Sequence, residues 1–103
     1  MISSRNKTNV DRAVGEINEL IISRKATGLV CDCSNTKDQK NLIDYTVDTF
    51  GGLDILISNA GINASRAPLL NQSEQDWDAV MNVNLKAAFL LTKQAFPHLK
   101  KRR

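Results

Sequence analysis

The segment 53–58 constrains the fold more than any other part of this chain. Three consecutive residues in it, Ile55, Leu56 and Ile57, are apolar. Since neighbouring residues of a strand point to opposite faces of the sheet, a strand made of them is apolar on both faces. Such strands belong to parallel sheets that are covered by helices on both sides. The segment therefore predicts a parallel sheet with helices packed against each face.

Helical and strand-like segments alternate along the rest of the chain. Apolar residues recur at helical spacing within 9–22 and predict an amphipathic helix, whereas the short apolar run 26–31 predicts a strand. A second helix is predicted to begin at Thr36, which stands three residues before Gln39 in a capping pattern. The glycine pair at 51–52 is expected to end it.

The last and longest helix is predicted from Ser73 to about Phe96, where Pro97 interrupts the pattern. Asn84 lies in the middle of its apolar stripe, which consists of Trp77, Val80, Met81, Ala88, Leu91 and Ala95. A buried amide has to be hydrogen-bonded. Asn84 is therefore either tied to a neighbouring carbonyl, or it faces a functional pocket and holds a water molecule or a backbone group. The order of elements predicts an α/β fold with parallel pairing.

Length, charge and cysteine content indicate how many domains the chain has, which partners it is expected to lack and which compartment suits it. The 103 residues suit one domain, which covers 1–103. Four of the 14 basic residues lie at 100–103. There we expect a solvated helix end rather than a contact with nucleic acid or a membrane. Cys31 and Cys33 are too close for an easy disulfide and too few for zinc, so no metal site is expected. We therefore expect a reducing, intracellular compartment.

We recognise no targeting signal at either end of the sequence. Residues 1–5 do not begin a secretory signal, and no apolar run approaches the roughly 18 residues that span a bilayer. The expectation is a soluble protein, cytoplasmic or peroxisomal, although residues 100–103 are not a peroxisomal signal.

Two motifs are more specific than this pattern. Residues 52–61 read GLDILISNAG and residues 77–86 read WDAVMNVNLK. Together they strongly resemble the short-chain dehydrogenase/reductase family, and the resemblance covers essentially the whole chain. Residues 3–5 and 9–14 are most similar to the NADP-dependent carbonyl/retinal reductases within it. The resemblance implies an incomplete Rossmann-type, doubly wound parallel sheet, with strands two to four present and with strand one and the C-terminal half missing.

The resemblance also implies roles for individual residues. Asn59, Ala60 and Gly61 match the family motif beside the adenosine ribose and the nicotinamide, where Asn59 also braces the sheet. Asn84 matches the catalytic asparagine, which positions a water molecule in the proton relay. On this comparison Asn84 is a functional residue and not merely a satisfied core amide.

Two further pairs of residues match the adenosine end of the cofactor site. Asp32 and Cys33 correspond to the residues that contact the adenine, Cys33 through its backbone. Ser4 and Arg5 follow the second strand, where the ribose 2′-substituent lies. An arginine at this point accommodates a 2′-phosphate, and a guanidinium grips phosphate through a bidentate fork. The implied cofactor is therefore NADP.

The chain departs from the family pattern in two ways. A glycine-rich phosphate loop is absent from its start, and the catalytic Ser and the Tyr-x-x-x-Lys pair are absent from its end; Tyr45 lies in the wrong helix. The chain as written is expected not to catalyse. We also expect marginal stability, because a missing middle strand leaves a gap of about 9–10 Å between its former neighbours.

The leading prediction is a fragment of an NADP-dependent oxidoreductase that interconverts carbonyl compounds (ketones, aldehydes or retinal-like molecules) and alcohols. The complete protein is expected to form a dimer or tetramer and to use no nucleic-acid partner. Phe89, Thr92 and Phe96 either supply that interface or pack against missing strands. A non-catalytic product that binds complete subunits is the alternative. A flavodoxin-like module is a third reading, and it would require a phosphate-binding turn that the sequence does not show.

Overall fold

A computed structural model describes residues 1–22 and 25–102 and confirms the predicted α/β class. Arg103, the last residue of the predicted basic end, lies outside the described residues. The elements, in chain order, are β1 (Ile2–Ser4), α1 (Lys7–Leu20), β2 (Gly28–Val30), α2 (Thr36–Phe50), a 3₁₀ turn (Leu69–Asn71), α3 (Glu74–Met81), a π turn (Asn82–Lys86) and α4 (Ala87–Lys101).

The sheet consists of β1 and β2, which pair in parallel as predicted. Ile2 lies opposite Gly28 and Ser4 lies opposite Val30. The Cys31 amide donates to the Ser4 carbonyl at 3.1 Å, so the pairing continues beyond the end of β2. Because the strands are parallel, their carboxyl ends meet at one edge of the sheet.

Helix α1 joins the two strands and packs closely on both of them. Val10 is its buried residue and lies over Gly28 of β2. A Cβ atom added to Gly28 would lie 2.2 Å from Cγ1 of Val10 and 3.0 Å from Cγ2 of Val14. Glycine is therefore required here by the close approach of helix and strand, which the sequence analysis did not identify.

A second core forms where α2 packs against α4. Its buried members are Ile43, Leu91 and Ala95, and Ala95 is completely inaccessible to solvent. Partly buried apolar side chains surround them: Val47, Leu53, Leu56 and Leu99. These residues bring the middle and the C-terminal parts of the chain together.

Helix α2 begins at Thr36 and ends before the glycine pair as predicted, but its N-terminal cap differs from the prediction. Gly51 adopts a left-handed conformation (φ 74°), and its amide donates to the Val47 carbonyl at 2.8 Å. The N-cap is Asn35 and not Thr36, because the Asn35 side chain accepts hydrogen bonds from the amides of Lys37 and Asp38. The predicted capping pair with Gln39 is therefore wrong.

The segment 53–58 has no strand pairing within the described residues, contrary to the prediction. Leu53 and Leu56 pack against the core of α2 and α4, whereas Ile55 and Ile57 are 75% and 81% exposed. A segment counts as a strand only where it is hydrogen-bonded to a neighbouring strand. Residues 57–62 have no such pairing with β1, because a cleft separates the two. This cleft lies where the sequence predicts a gap between the second and fourth strands of a doubly wound sheet.

The last helix also differs from its prediction. Ser73 caps α3 as expected, and its hydroxyl accepts a hydrogen bond from Asp76 N at 3.1 Å. The π turn then interrupts the helix, and Trp77 is more than half exposed rather than buried. Pro97 lies inside α4 and does not end it. The lost amide bond is tolerated because Leu99, beyond the proline, packs against the core.

The end of α4 is held by one ion pair. Arg102 Nε lies 3.1 Å from Asp54 Oδ1, and both side chains are substantially exposed, so the pair contributes little to stability. Among the residues described, no helix is long and apolar enough to cross a membrane.

We predict that Gly28→Ala destabilises the native gene product that carries this chain by about 1–3 kcal/mol, because the new methyl group overlaps Val10. Urea unfolding measures the effect. Gly15→Ala is the matched control: Gly15 lies inside α1 with nothing within 4 Å of its added Cβ, and the change should stabilise by about 0.5–1 kcal/mol. Equal stabilities of the two variants would contradict the packing argument.

Candidate functional site

The carboxyl ends of β1 and β2 begin the candidate site. Ser4 ends β1, and Arg5 and the N-cap residue Asn6 connect it to α1. Asp32 and Cys33 follow β2 at the same edge. The parallel register thus brings together two segments that lie far apart in sequence.

Asp32 organises the turn between β2 and α2. Its Oδ1 atom accepts hydrogen bonds from the Ser34 amide at 2.9 Å and from the Ser34 hydroxyl at 2.7 Å. The Asp32 amide donates to Oδ2 of Asp38 at 3.0 Å. The bonds from Ser34 lower the pKa of the Asp32 carboxyl, and the charge of Arg5 lowers it further. Asp32 is therefore ionised at neutral pH.

The two cysteines beside Asp32 are free thiols. Cys31 is buried, and burial, together with the nearby acidic groups, raises its pKa to about 11. Its thiol therefore stays protonated at neutral pH and is a poor nucleophile. Cys33 is partly exposed and lines the cleft. The described residues contain no group of three His, Cys, Asp or Glu that could hold a metal ion.

A single cleft of about 570 Å³ brings the predicted cofactor residues together. The predicted residues in its walls come from three separate segments of the chain. The seven predicted residues that line it are Ser4, Arg5, Asp32, Cys33, Asn59, Ala60 and Gly61. The bracing of the sheet by Asn59 stays a prediction.

Asn84 lies on the π turn and holds the segment that follows Gly61. Its Oδ1 atom accepts a hydrogen bond from Ile62 N at 2.7 Å, and its Nδ2 atom donates to Ile62 O at 2.9 Å. Asn84 is exposed rather than buried in an apolar stripe. Asn84 is tied to the carbonyl and the amide of Ile62, which lines the cleft, and its catalytic role stays a prediction.

The π turn explains why Asn84 reaches Ile62. The Ala87 amide bonds to the carbonyl of Asn82, five residues earlier, instead of four. The wider turn rotates the side chains that follow it about the helix axis. As a result Ala87 is buried, whereas Ala88 is only partly buried. Such turns occur frequently at functional sites.

The sequence analysis missed Gln39, which is 1% exposed and reaches the same cleft. Its spacing from Ile43 by one helical turn was the signal that could have placed it on the inward face. Gln39 was interpreted as part of a helix cap, which concealed this.

We predict that Asn84→Leu speeds hydrogen exchange of the Ile62 amide about 3- to 10-fold, because leucine has nearly the same shape but cannot accept its hydrogen bond. NMR-detected exchange on the native gene product measures the rate. Asn41→Leu, at an exposed position in α2, is the control and should leave Ile62 unchanged. Unaltered exchange in Asn84→Leu would show that the amide pair does not hold this segment.

Comparison with known proteins places this geometry in a family. The sequence matches the short chain dehydrogenase family over residues 1–103. It is 44% identical over 101 residues to tropinone reductase-like 3 of Erythroxylum coca, covering 98% of this chain and 38% of that protein. It is 40% identical over 101 residues to dehydrogenase/reductase SDR family member 4 of Caenorhabditis elegans, again covering 98% and 38% of the two chains.

Solved structures agree with the sequence matches. A 3-ketoacyl-ACP reductase from Sinorhizobium meliloti 1021 superposes with a TM-score of 0.88 at 34% identity, covering 97% of this chain and 38% of that one. A metagenomic short-chain oxidoreductase in complex with NADP superposes with a TM-score of 0.84 at 26% identity, covering 97% and 44%. The chain thus spans less than half the length of these relatives. It belongs to the short-chain dehydrogenase/reductase family of oxidoreductases.

Proposed function

We propose that this chain supplies the adenosine-binding part of an NADP-dependent oxidoreductase that interconverts carbonyl compounds and alcohols. One observation carries the proposal. The seven residues that the family resemblance assigns to the cofactor come from three distant segments, yet all of them line the same cleft. Open α/β sheets bind ligands at the carboxyl ends of their strands, where two of these segments lie.

The start of α1 fits a 2′-phosphate. Arg5 is exposed at the cleft, and its guanidinium can bind phosphate through two parallel hydrogen bonds. The Ser4 hydroxyl oxygen accepts a hydrogen bond from the Asn6 amide at 3.4 Å, which leaves the hydroxyl hydrogen available for donation. An acidic residue at this point would favour NAD instead. Arg5 and Ser4 therefore support NADP.

The turn after β2 fits the adenine. The ionised Asp32 carboxylate is an acceptor for an amino group, and the hydrogen bonds from Ser34 fix its orientation. Cys33 lines the cleft beside it, and the family resemblance gives its backbone a contact with the adenine. This part of the site recognises a nucleoside and takes no part in proton transfer.

The opposite wall supports the nicotinamide end. Bound there, the nicotinamide supplies or accepts a hydride. Residues 59–61 approach the cleft with small side chains, and Asn84 fixes the position of Ile62 next to them. An amide does not titrate usefully, so Asn84 positions groups and donates no proton to substrate. We propose a carbonyl compound or an alcohol as the substrate class.

We further propose that the native gene product is a homo-oligomer. Leu85 and Phe89 line a concavity of about 900 Å³ along the π turn and the start of α4, and Phe96 follows further along α4. Phe89 and Phe96 are 63% and 59% exposed. Large exposed aromatic side chains are enriched in interfaces between protein chains.

We predict that Arg5→Asp reverses the cofactor preference of the native gene product. The affinity for NADPH should fall about 10- to 100-fold, the value of a hydrogen-bonded charged group, whereas NADH affinity should be kept or improved. Titration by nicotinamide fluorescence measures both affinities.

Arg12→Asp is the matched control, since it makes the same charge change on α1 at a residue outside the cleft lining. It should leave the preference unchanged. An unaltered preference in Arg5→Asp would overturn the assignment of Arg5. Failure of the unmodified protein to bind either nucleotide would favour the non-catalytic alternative.

The oligomer proposal predicts that Phe89→Asp lowers the molar mass in solution, because a carboxylate would be buried in the interface. Analytical ultracentrifugation measures the mass. Tyr45→Asp, a comparably exposed aromatic position on α2, is the control and should leave the mass unchanged. A monomeric unmodified protein would contradict the proposal directly.

A further inference from the structure

Gln39 is a buried polar residue with no part in the chemistry described so far. It is the largest side chain among the described residues to be less than 2% exposed. It projects from the first turns of α2 toward α4, on the same side as the apolar core residue Ile43. A primary amide in such a place has to find hydrogen-bond partners.

The partners of Gln39 belong to two different functional segments. Its Nε2 atom donates to the carbonyl of Cys33 at 2.6 Å and to the carbonyl of Ala87 at 3.2 Å. Its Oε1 atom accepts from Nε2 of Gln94 at 2.9 Å. The orientation of the amide follows from these contacts, because a flipped amide would set its oxygen against two carbonyl oxygens.

One of the two carbonyls belongs to the proposed cofactor site, and the other lies at the end of the π turn. Cys33 lies in the turn that the proposed function assigns to the adenine. Ala87 is the first residue of α4, and its amide closes the π turn that carries Asn84. One side chain therefore joins the adenine turn to the base of the turn that holds Ile62.

The second glutamine shows that this arrangement is not explained by stability alone. Gln94 Oε1 is buried and has no hydrogen-bond partner among the described residues. The apolar residues Leu91 and Ala95 flank Gln94 on the same helix, so an apolar pair in place of the two glutamines would leave no side-chain amide unpaired but would remove the donor to the Cys33 carbonyl. Buried polar groups that are only partly satisfied call for a reason beyond packing.

We propose that Gln39 is a positioning residue that couples occupation of the adenine turn to the placement of Asn84. The proposal rests on the proposed function. Nucleotide bound against Asp32 and Cys33 restrains the Cys33 carbonyl, and through the shared amide it restrains the Ala87 carbonyl as well. The turn that carries Asn84 is then held more firmly, and Ile62 with it.

The test uses a ligand that fills only the adenosine end. Adenosine 2′,5′-bisphosphate carries the 2′-phosphate, the adenine and its ribose but no nicotinamide. Since residues 59–61 are assigned beside that ribose, direct contact with the ligand is separated from coupling by the double variant described next. In the native gene product it should slow hydrogen exchange of the Ile62 amide about fivefold or more, which is the lower range of measured coupling between sites. NMR-detected exchange reports the effect without any activity measurement.

Two variants separate coupling from a merely structural role. Gln94→Met removes the partner of Oε1 but keeps both bonds to the carbonyls, and it should retain the fivefold response. The double variant Gln39→Met/Gln94→Met replaces the pair by apolar side chains of similar size that leave no amide unpaired. It should still bind the bisphosphate, but Ile62 should no longer respond.

The outcomes are distinct. If the slowing of Ile62 exchange survives in the double variant, the coupling is overturned and the proposed function stays intact. The same holds if the unmodified protein binds the bisphosphate without any change at Ile62. An unmodified protein that does not bind the bisphosphate overturns both. If the double variant does not fold, Gln39→Met alone provides the second test, since its side chain has a similar length but cannot donate to either carbonyl.

Discussion

The contact between α2 and α4 at Ala95 is the constraint on which the rest of the structure depends. Ala95 is completely buried, and its small side chain lets the two helices approach while Ile43 and Leu91 fill the space beside it. Leu53 and Leu56 pack on the same cluster, which fixes the segment leading to the cleft. Since interiors pack at the density of organic crystals, a larger residue in place of Ala95 would displace both helices and the wall of the cleft with them.

The sheet positions one side of the site, and this core positions the other. The pairing of β1 with β2, covered by α1, brings Arg5 and Asp32 to one edge. The core of α2 and α4 brings residues 59–62 to the other side of the cleft. Helix α2 belongs to both parts, because its N-terminus receives the turn from β2 and its inward face carries the core. A shift of α2 would therefore change the width of the cleft.

Much of the fold and of the site could be predicted from residues that are neighbours in the sequence. Features that depend on contacts between distant residues could not. The helices, the glycine that ends α2 and the serine that caps α3 follow from neighbouring residues. The seven predicted residues that line the cleft were likewise identified from motifs, without knowledge of their neighbours in space. The pairing state of 53–58 depends on a hydrogen-bonded neighbour, and the passage of α4 through Pro97 depends on the packing of Leu99. Periodicity cannot show a π turn, because the turn itself changes the period.

The π turn and Gln39 are best understood together. A wide turn breaks the regular ladder of hydrogen bonds, and it persists only where surrounding contacts stabilise it. Asn84 provides two such contacts by pairing with Ile62. Gln39 provides a third from the other side, because a carbonyl has two lone pairs and Ala87 O can accept its amide beside a helical bond. The local irregularity that brings Asn84 to Ile62 is thus anchored to α2, and through Cys33 it is anchored to the turn on the other side of the cleft.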